Sequence, residues 1–501
     1  MQAVSQHGSR GAVFRVSEQT LAIARAIDEA GGRPILVGGW VRDSLMGRTQ
    51  EAPKDYDIEV FALPLERLRK VLKPFGPVHL VGRHFGVLKL HTDEAEYDVS
   101  VPRRESNVGK GHKGFLVETD PSMTFAEAAA RRDFTINAMG HDPLSGELLD
   151  PHGGLGDLEA GVLRHVGPAF GEDPLRVLRA MQFAARFGLR IAPETLAICR
   201  QQDLHELPRE RLWDEFRKLL LLAARPSAGL ELTPELGVLE AFPALRALYE
   251  PPAGDSVPGP ISQWQETLAL LDAAAAHREG DETRDRVLML AALGWHMLPV
   301  VEHSAAPPAL LELAARDDTP LAGFLAQLST ETRLLRQVPA LVALAHAPHA
   351  WRNSGTQTSE TLTNGHVRRL AWQLSTRHLD TPLLAALLST LHEAGIARGS
   401  SSGDDPGAWL EQRARALDVW DAPPVALVQG RQLLAAGWQP GPHIGRALEA
   451  VFEAQLDGAV ADEAAALAAA EDLLRAKGLA PGRRGDSKGG KKEHGGKGGT
   501  S

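Results

Sequence analysis

Asp55 and Asp57 stand one residue apart in the alternating run DYDIEVFAL, separated by Tyr56 and followed by Ile58 and Val60. On a strand, positions i and i+2 face the same way, so both carboxylates point to one side and the apolar residues to the other. Their mutual repulsion is a cost unless a cation lies between them. Two hard oxygen ligands on one rigid element suit Mg2+, which keeps part of its water shell and shares phosphate oxygens with a substrate. Two ions held in this way can activate an attacking hydroxyl and steady a leaving phosphate. The same pattern also describes an edge strand with a solvated acidic face. A third acid would complete a metal site. Asp98, out of phase with Tyr97 and Val99 in EYDVSV, is the first candidate, with Glu59 and Glu96 as rivals.

Upstream, RPILVGG reads as a short buried strand ending in a tight turn, and VRDSLMG as a helix closed by Gly47. Gly38 and Gly39 leave the backbone bare at the helix entrance, where N–H groups favour phosphate. Arg42, three residues in, can reach the same phosphates. A strand-to-helix turn that needs glycine for packing alone would look the same. Arg131 and Arg132 close a helix that opens with the capping pair Thr124 and Glu127, and cations are favoured at such an end whatever their function.

Around these residues the elements are legible. SEQTLAIARAIDEAGG reads as an amphipathic helix capped by Ser17, with Leu21, Ala24 and Ile27 on one face. VGRHFGVLKLH and AEYDVSVPRRE read as two strands, GHDPLSGELLDP as a hairpin, and Thr135 and Asn137 as neighbours on one strand face. After about Gly167 the strand signal fades into Ala- and Leu-rich helical spacing that runs to Lys477. The chain has 501 residues, too many for one core, with 43% hydrophobic and 24% charged residues. No secretory signal, no membrane span and, with Cys199 as the single cysteine, no intrachain disulfide are expected; a reducing cytoplasm fits. The net charge is −10, and the last 21 residues hold six basic groups against two acids, so any basic groove must be local.

GGWVRDSLMG followed by KDYDIEV resembles the nucleotidyltransferase signature of class II CCA-adding enzymes and bacterial poly(A) polymerases. RRDFTINAM (131–139) is similar to that family's second motif, DPHGGLGDLEAGVLRHVG (150–167) to its third, EDPLRVLRAMQFAARFG (172–188) to its nucleobase-reading fourth, and ERLWDE (210–215) to its neck-helix fifth. The five stand in order across about 180 residues. The resemblance implies an α/β nucleotidyltransferase head with a mixed, DNA polymerase beta-like sheet over residues 1–166. A helical, nucleobase-reading neck over 167–250, a tRNA-gripping helical body and tail over 251–478, and a disordered basic tail over 479–501 would follow.

It further implies template-independent addition of C, C and A to the 3′ end of tRNA from CTP and ATP, with Mg2+ held by Asp55 and Asp57. Asp98, from the strand pattern rather than the resemblance, is expected as the third catalytic acid. Gly38, Gly39, Arg42, Arg132 and Asn137 would bind triphosphate or sugar. Asp173 and Arg176 would accept from the exocyclic amino group of C or A and donate to the ring nitrogen, and Arg179 would contact the triphosphate or line the helix. Asp173 also fits as the cap of a helix that starts with Pro174. Glu210, Arg211 and Glu215 are expected to form a structural ion network.

Two departures stand out: Gln182 occupies a position where an arginine is common, and no His-Asp hydrolase pair occurs from 240 to 480. Addition of A only, of CC only, or of a poly(A) tail are the near alternatives, although His84 replaces a basic residue that poly(A) polymerases tend to carry. An inactive RNA-binding scaffold is the distant one. A loop within 103–122 would govern the change from C to A. The oligomeric state is left open.

Overall fold

The alternating run at 55–61 is a strand, and a seven-stranded mixed sheet forms around it. The computed structural model describes residues 3–5, 14–48, 55–81, 86–107, 115–250, 262–299, 307–353, 363–396 and 405–481. His84, the tip of the loop at 108–114 and the basic tail from 482 onward lie outside the described residues. The chain divides into two units, residues 1–258 with 327–329, and residues 259–326 with 330–501.

The first unit contains, in chain order, strands β1 (Ala3–Ser5) and β2 (Phe14–Val16), helix α1 (Glu18–Glu29), strand β3 (Arg33–Val37), helix α2 (Gly39–Leu45), strand β4 (Asp55–Phe61) and helix α3 (Leu65–Leu72). Strands β5 (Val78–Val81), β6 (Val87–His91), β7 (Glu96–Ser100), β8 (Arg103–Asn107) and β9 (Phe115–Thr119) follow, then helix α4 (Phe125–Ala129). Next come β10 (Gly140–His141), β11 (Leu148–Leu149), α5 (Gly154–Glu159), β12 (Val162–Leu163), α6 (Leu175–Phe187), β13 (Arg190–Ile191), α7 (Pro193–Cys199) and α8 (Arg209–Leu222). From there to residue 250 the described elements are short helices.

The sheet order is β11-β10-β3-β4-β7-β6-β5, and only β4 and β7 run parallel. Tyr56, Ile58 and Val60 turn inward with Tyr97 and Val99 and form one core with Leu21, Ile23 and Ile27 of α1. Ser17 caps α1 by accepting from the Thr20 N–H, and Tyr56 and Tyr97 stack with ring centroids 5.4 Å apart. One face of β4 is therefore committed to the core, which leaves Asp55 and Asp57 on the other; a slip of one residue would bury both charges.

The structure revises three local expectations. Residues 81–91 are not one strand: β5 ends at Val81 and pairs antiparallel with β6. Residues 95–105 split into β7 and β8 at Pro102, which has no N–H to give to a ladder. Thr135 and Asn137 lie in a 3-10 turn, Thr135–Asn137, rather than on a strand. Asp133 explains that turn: its Oδ1 accepts from the Phe134 N–H and from the Asn137 amide, a local alternative to strand pairing.

In the second unit the helices include Gln263–Ala276, Glu282–Leu293, Thr381–Glu393, Pro442–Leu456 and Glu463–Ala476. One of its cores is built from Leu433, Trp438, Val451, Ala466, Ala470 and Leu474. Among the described residues no helix is long and apolar enough to cross a membrane.

Candidate active site

Strand register brings the acids together. β4 and β7 pair so that Asp57 lies opposite Asp98 and Asp55 opposite Glu96. Asp57 is exposed, yet the surrounding protein desolvates it, and with Asp98 and Asp55 nearby its carboxyl is raised above the usual carboxylate range. The rivals are already engaged: Glu59 receives Arg132 at 3.0 Å, and Glu96 receives His91 at 3.1 Å. Asp98 is drawn to Lys89 at 3.1 Å. Among the described residues no three acidic, histidine or cysteine side chains close into a ready-made metal cage. The donor set nevertheless fits a hard divalent cation. Two carboxylates share one face, the desolvation and repulsion that raise Asp57 would be offset by positive charge, and Mg2+ fills its remaining positions with water and phosphate oxygens.

The turn before α2 meets this face. Gly38 has φ +75° and ψ −144°, a conformation that side-chain-bearing residues avoid, and a Cβ there would come within 2.9 Å of Asp57 Oδ2. Gly38 is therefore required both by the backbone and by the carboxylate. We expect Gly38→Ala to cost about 1–3 kcal/mol of stability from the backbone alone. It should also depress activity more than that loss explains, because Asp57 must move. Thermal unfolding and nucleotide-incorporation rates measured side by side check this.

Behind Gly39, Arg42 is only 5% exposed. It donates to Asp43 Oδ1 at 2.9 Å and to Asn137 Oδ1 at 2.7 Å, and lies 4.3 Å from the centroid of Phe187. Asn137 is thus held between Arg42 and Asp133, with both ends of its amide used. Arg132 donates to the Asn137 carbonyl as well as to Glu59.

Helix α6 carries the remaining groups. Asp173 uses Oδ1 to accept from the Leu175 N–H at 3.1 Å, so it caps the helix. Its Oδ2 accepts from Arg211 on α8 at 2.7 Å. Arg211, expected only in a structural ion network, thus pairs with Asp173 and also lines the cavity. Arg176 instead donates to the carbonyls of Ala169 and Arg131. Glu215 does behave structurally: it is buried, 2.9 Å from Lys218 and 3.6 Å from Arg179.

Arg179 closes on Asp133 at 2.6 Å. Burial by itself would raise the Asp133 carboxyl, but Arg179, the Asn137 amide and the Phe134 N–H outweigh it and hold the group below the usual carboxylate range. Breaking a buried pair of this kind leaves an uncompensated charge, so Asp133→Asn should cost about 3–5 kcal/mol at neutral pH. Because the folded-state value is depressed, the stabilisation is present above the ordinary aspartate pKa of about 3.9 and lost as pH falls through the folded value. Denaturant unfolding of wild type and variant should therefore differ at pH 7 and converge in strong acid.

These groups line one cavity of about 560 Å3 that runs from Gly38, Gly39 and Asp57 past Arg132 and Asn137 to Asp173, Arg176 and Arg211. Six arginines and three aspartates line it, so a local basic cleft sits in a chain of net charge −10. Asp55 and Asp98 are near this cavity through strand register but do not line it. Asp133, Leu175, Phe183 and Arg186 line the cavity without a role legible in the sequence, and Arg211, expected to be structural, lines it as well. Arg211 falls inside the motif ERLWDE, and its helical phase alone does not show what it faces.

Comparison with known proteins gives concordant results. Residues 35–164 match the family described as "Poly A polymerase head domain", and residues 188–248 the one described as "Probable RNA and SrmB- binding site of polymerase A". The chain is 45% identical over 226 residues to the multifunctional CCA protein of Xanthomonas campestris pv. campestris (strain B100), a match covering 43% of this chain and 52% of that protein. It is 41% identical over 255 residues to the multifunctional CCA protein of Xylella fastidiosa (strain M23), covering 49% of this chain and 58% of that one. The match thus spans little more than half the length of these relatives. Among solved structures, a CCA-adding enzyme in complex with CTP superposes with TM-score 0.60 at 23% identity, covering 93% of this chain and 97% of the other. The Thermotoga maritima CCA-adding enzyme complexed with tRNA superposes with TM-score 0.51 at 19% identity, covering 92% and 96%. The α/β head with its mixed sheet and the helical remainder thus share the fold of CCA-adding enzymes, and residues 35–164 match the poly A polymerase head domain.

Proposed function

We propose that this protein is a tRNA nucleotidyltransferase that adds C, C and A to the 3′ end of tRNA from CTP and ATP, with release of pyrophosphate. The observation that carries the reading is the single cavity that joins a base-reading end, Asp173 with Arg211 and Arg176, to a bare glycine turn beside Asp57. A nucleoside triphosphate has that polarity, and about 560 Å3 accommodates one. The multifunctional CCA proteins to which the chain is similar support the same class of reaction.

In this reading the 3′-hydroxyl of the RNA attacks the α-phosphate and pyrophosphate leaves. Mg2+ held by Asp55 and Asp57 would lower the pKa of the hydroxyl and neutralise phosphate charge. The protein's own residues position the reactants, which is most of the work in phosphoryl and nucleotidyl transfer. Gly38 and Gly39 keep side chains away from the phosphates, Arg42 and Arg132 supply cations, and Asn137, fixed at both ends of its amide, presents a rigid edge to the sugar. Arg179 holds Asp133, and through it Asn137, in place. Asp98 holds Lys89 and shapes the field at Asp57.

At the other end, C and A both present an amino donor beside a ring nitrogen acceptor, whereas U and G present a carbonyl and an N–H. A carboxylate and a guanidinium side by side accept the first pair and leave buried groups unpaired against the second. We assign residues 167–250 to the base-reading neck, residues 251–478 to the tRNA-gripping body and tail, and the cytoplasm as the site of action.

The test offers tRNAs ending at the discriminator base, at C and at CC, with each nucleoside triphosphate in turn and Mg2+, and sequences the products. C, C then A is the expected result. Addition of A alone, of CC alone or of long A runs would replace the reading with the corresponding relative, and no addition to any end would indicate a scaffold.

A further inference from the structure

Arg186 was not singled out by its sequence, yet it lines the nucleotide cavity one turn beyond Gln182 on α6. Its surroundings are unusual in charge. Among the other cavity arginines, Arg42 faces Asp43, Arg132 faces Glu59, Arg179 faces Asp133, Arg211 faces Asp173, and Arg176 is taken up by the carbonyls of Ala169 and Arg131. Arg186 has no carboxylate in contact among the described residues. Its Nη1 donates instead to Gln182 Oε1 at 3.2 Å. Gln182 is 1% exposed, and its own amide nitrogen is buried without a partner. A buried glutamine with half its hydrogen-bonding capacity unused is costly, and its one side-chain contact orients Arg186.

Three guanidinium groups gather around one aromatic ring here. The central carbons of Arg42, Arg48 and Arg186 lie 4.3, 4.9 and 5.1 Å from the Phe187 centroid. Stacking on an aromatic face stabilises each cation, but it does not cancel their mutual repulsion. Among the described residues, Asp43 is the carboxylate in direct contact with the group, and it is already bonded to Arg42; Glu215 acts on Arg186 without touching it. Burial, and then the charge of Arg42, lowers the Arg186 pKa from its ordinary value, as expected for a cation in a positive field. Arg48 is exposed and donates to the Arg186 carbonyl at 3.3 Å, so the cluster runs from the cavity to the surface beside α2. Arg42 ties this cluster to the glycine turn, since a Cβ on Gly39 would lie 3.3 Å from its Nη2.

We infer that Arg186, oriented by Gln182, binds the outer phosphates of the incoming nucleoside triphosphate and, with Arg42 and Arg48, forms the track by which pyrophosphate leaves. The inference rests on the proposed reading of the cavity as a nucleoside triphosphate site. A polyanion supplies the missing counter-charge, and the planar fork of arginine matches two phosphate oxygens at once. Gln182 is a positioning residue in this arrangement: a neutral side chain steers the guanidinium without consuming its charge, which a carboxylate would do.

Equilibrium binding of CTP and of CMP to the full-length protein in Mg2+ tests this, since the two ligands differ only in the outer phosphates. Arg186→Ala should weaken CTP by about 30-fold, the size of a lost charge-assisted contact, and CMP by less than about twofold. Arg186→Lys should fall between, and Gln182→Leu should act in the same direction with about a fivefold loss for CTP. Gln182→Glu, which neutralises Arg186, should resemble Arg186→Ala. Equal losses for CTP and CMP would overturn the inference, because Arg186 would then act on the base end or on the fold. No loss for either would overturn it too. If the wild-type protein itself binds CTP no more tightly than CMP, the triphosphate reading of the cavity fails first. If it prefers CTP and Arg186→Ala keeps that preference, the inference alone fails.

Discussion

Asp57→Asn is expected to lose nucleotide addition by about 10³-fold or more while melting at or above the wild-type temperature. Metal-borne charge stabilisation is worth several kcal/mol in the transition state, and each factor of ten in rate is about 1.4 kcal/mol. The stability half of the prediction comes from the same geometry. Asp57 is desolvated and sits beside Asp98 and Asp55, and its carboxyl is raised accordingly. An amide removes that repulsion at no cost in volume, so the fold should tolerate or prefer it. Opposed effects on activity and stability are the mark of a side chain kept for function. Asp55→Asn should lose activity in the same way. Primer extension in Mg2+, run with thermal melts of the same preparations, decides the matter. Retention of more than a tenth of the wild-type rate in either variant would remove the basis of the proposed reaction.

Asp173→Asn is expected to lower incorporation of C and A by about 10²-fold and to reduce discrimination against U by a similar factor. The substitution is chosen because it separates the two uses of the side chain. Asparagine can still accept from the Leu175 N–H, so the cap on α6 survives. What changes is the other end, where an oxygen that accepts only is replaced by an amide that can donate to a carbonyl. The partner of Asp173 is Arg211 at 2.7 Å, and Arg176 is spent on two backbone carbonyls. Arg211→Ala should therefore relax base choice more than Arg176→Ala, whose main effect should be on stability. Competition assays with CTP and UTP on a tRNA lacking CCA give the ratio directly. Relaxed choice in Arg176→Ala with unchanged choice in Arg211→Ala would reverse the assignment.

The contrast between these two arginines shows where sequence reasoning stops. Arg176 and Arg211 both lie in recognisable motifs, and Asp173 with Arg176 is the nearer pair along the chain. Three residues apart on one helix is a natural contact, but Asp173 is the cap rather than a helical residue, so its free oxygen points across to α8. Sequence spacing describes neighbours within an element and says little about which second element packs against it. Asn137 illustrates a smaller version of the same limit. The alternation Thr135, Asn137 looked like a strand until the Asp133 carboxylate, through bonds to the Phe134 N–H and the Asn137 amide, fixed a turn instead. Pro102, by contrast, was visible as a break and was simply passed over.

What could be read directly from the chain were the features set by local rules. Alternation with period two placed Tyr56, Ile58 and Val60 in the core and Asp55 and Asp57 outside it. Ser17 and the Thr124–Glu127 box marked helix starts, and the glycines at 38 and 39 marked a backbone that must stay bare. Those patterns depend on residues within a few positions of each other, where propensity and sterics dominate. Which acid stands beside Asp57, which arginine meets Asp173 and which guanidinium is left without a carboxylate depend on strand register and helix packing between segments about 40 to 70 residues apart in the chain. Long-range packing is cooperative: the apolar faces choose their partners, and the charged groups take whatever neighbours that choice brings. The chemistry available at the site was therefore written locally, whereas its geometry came from the assembled core.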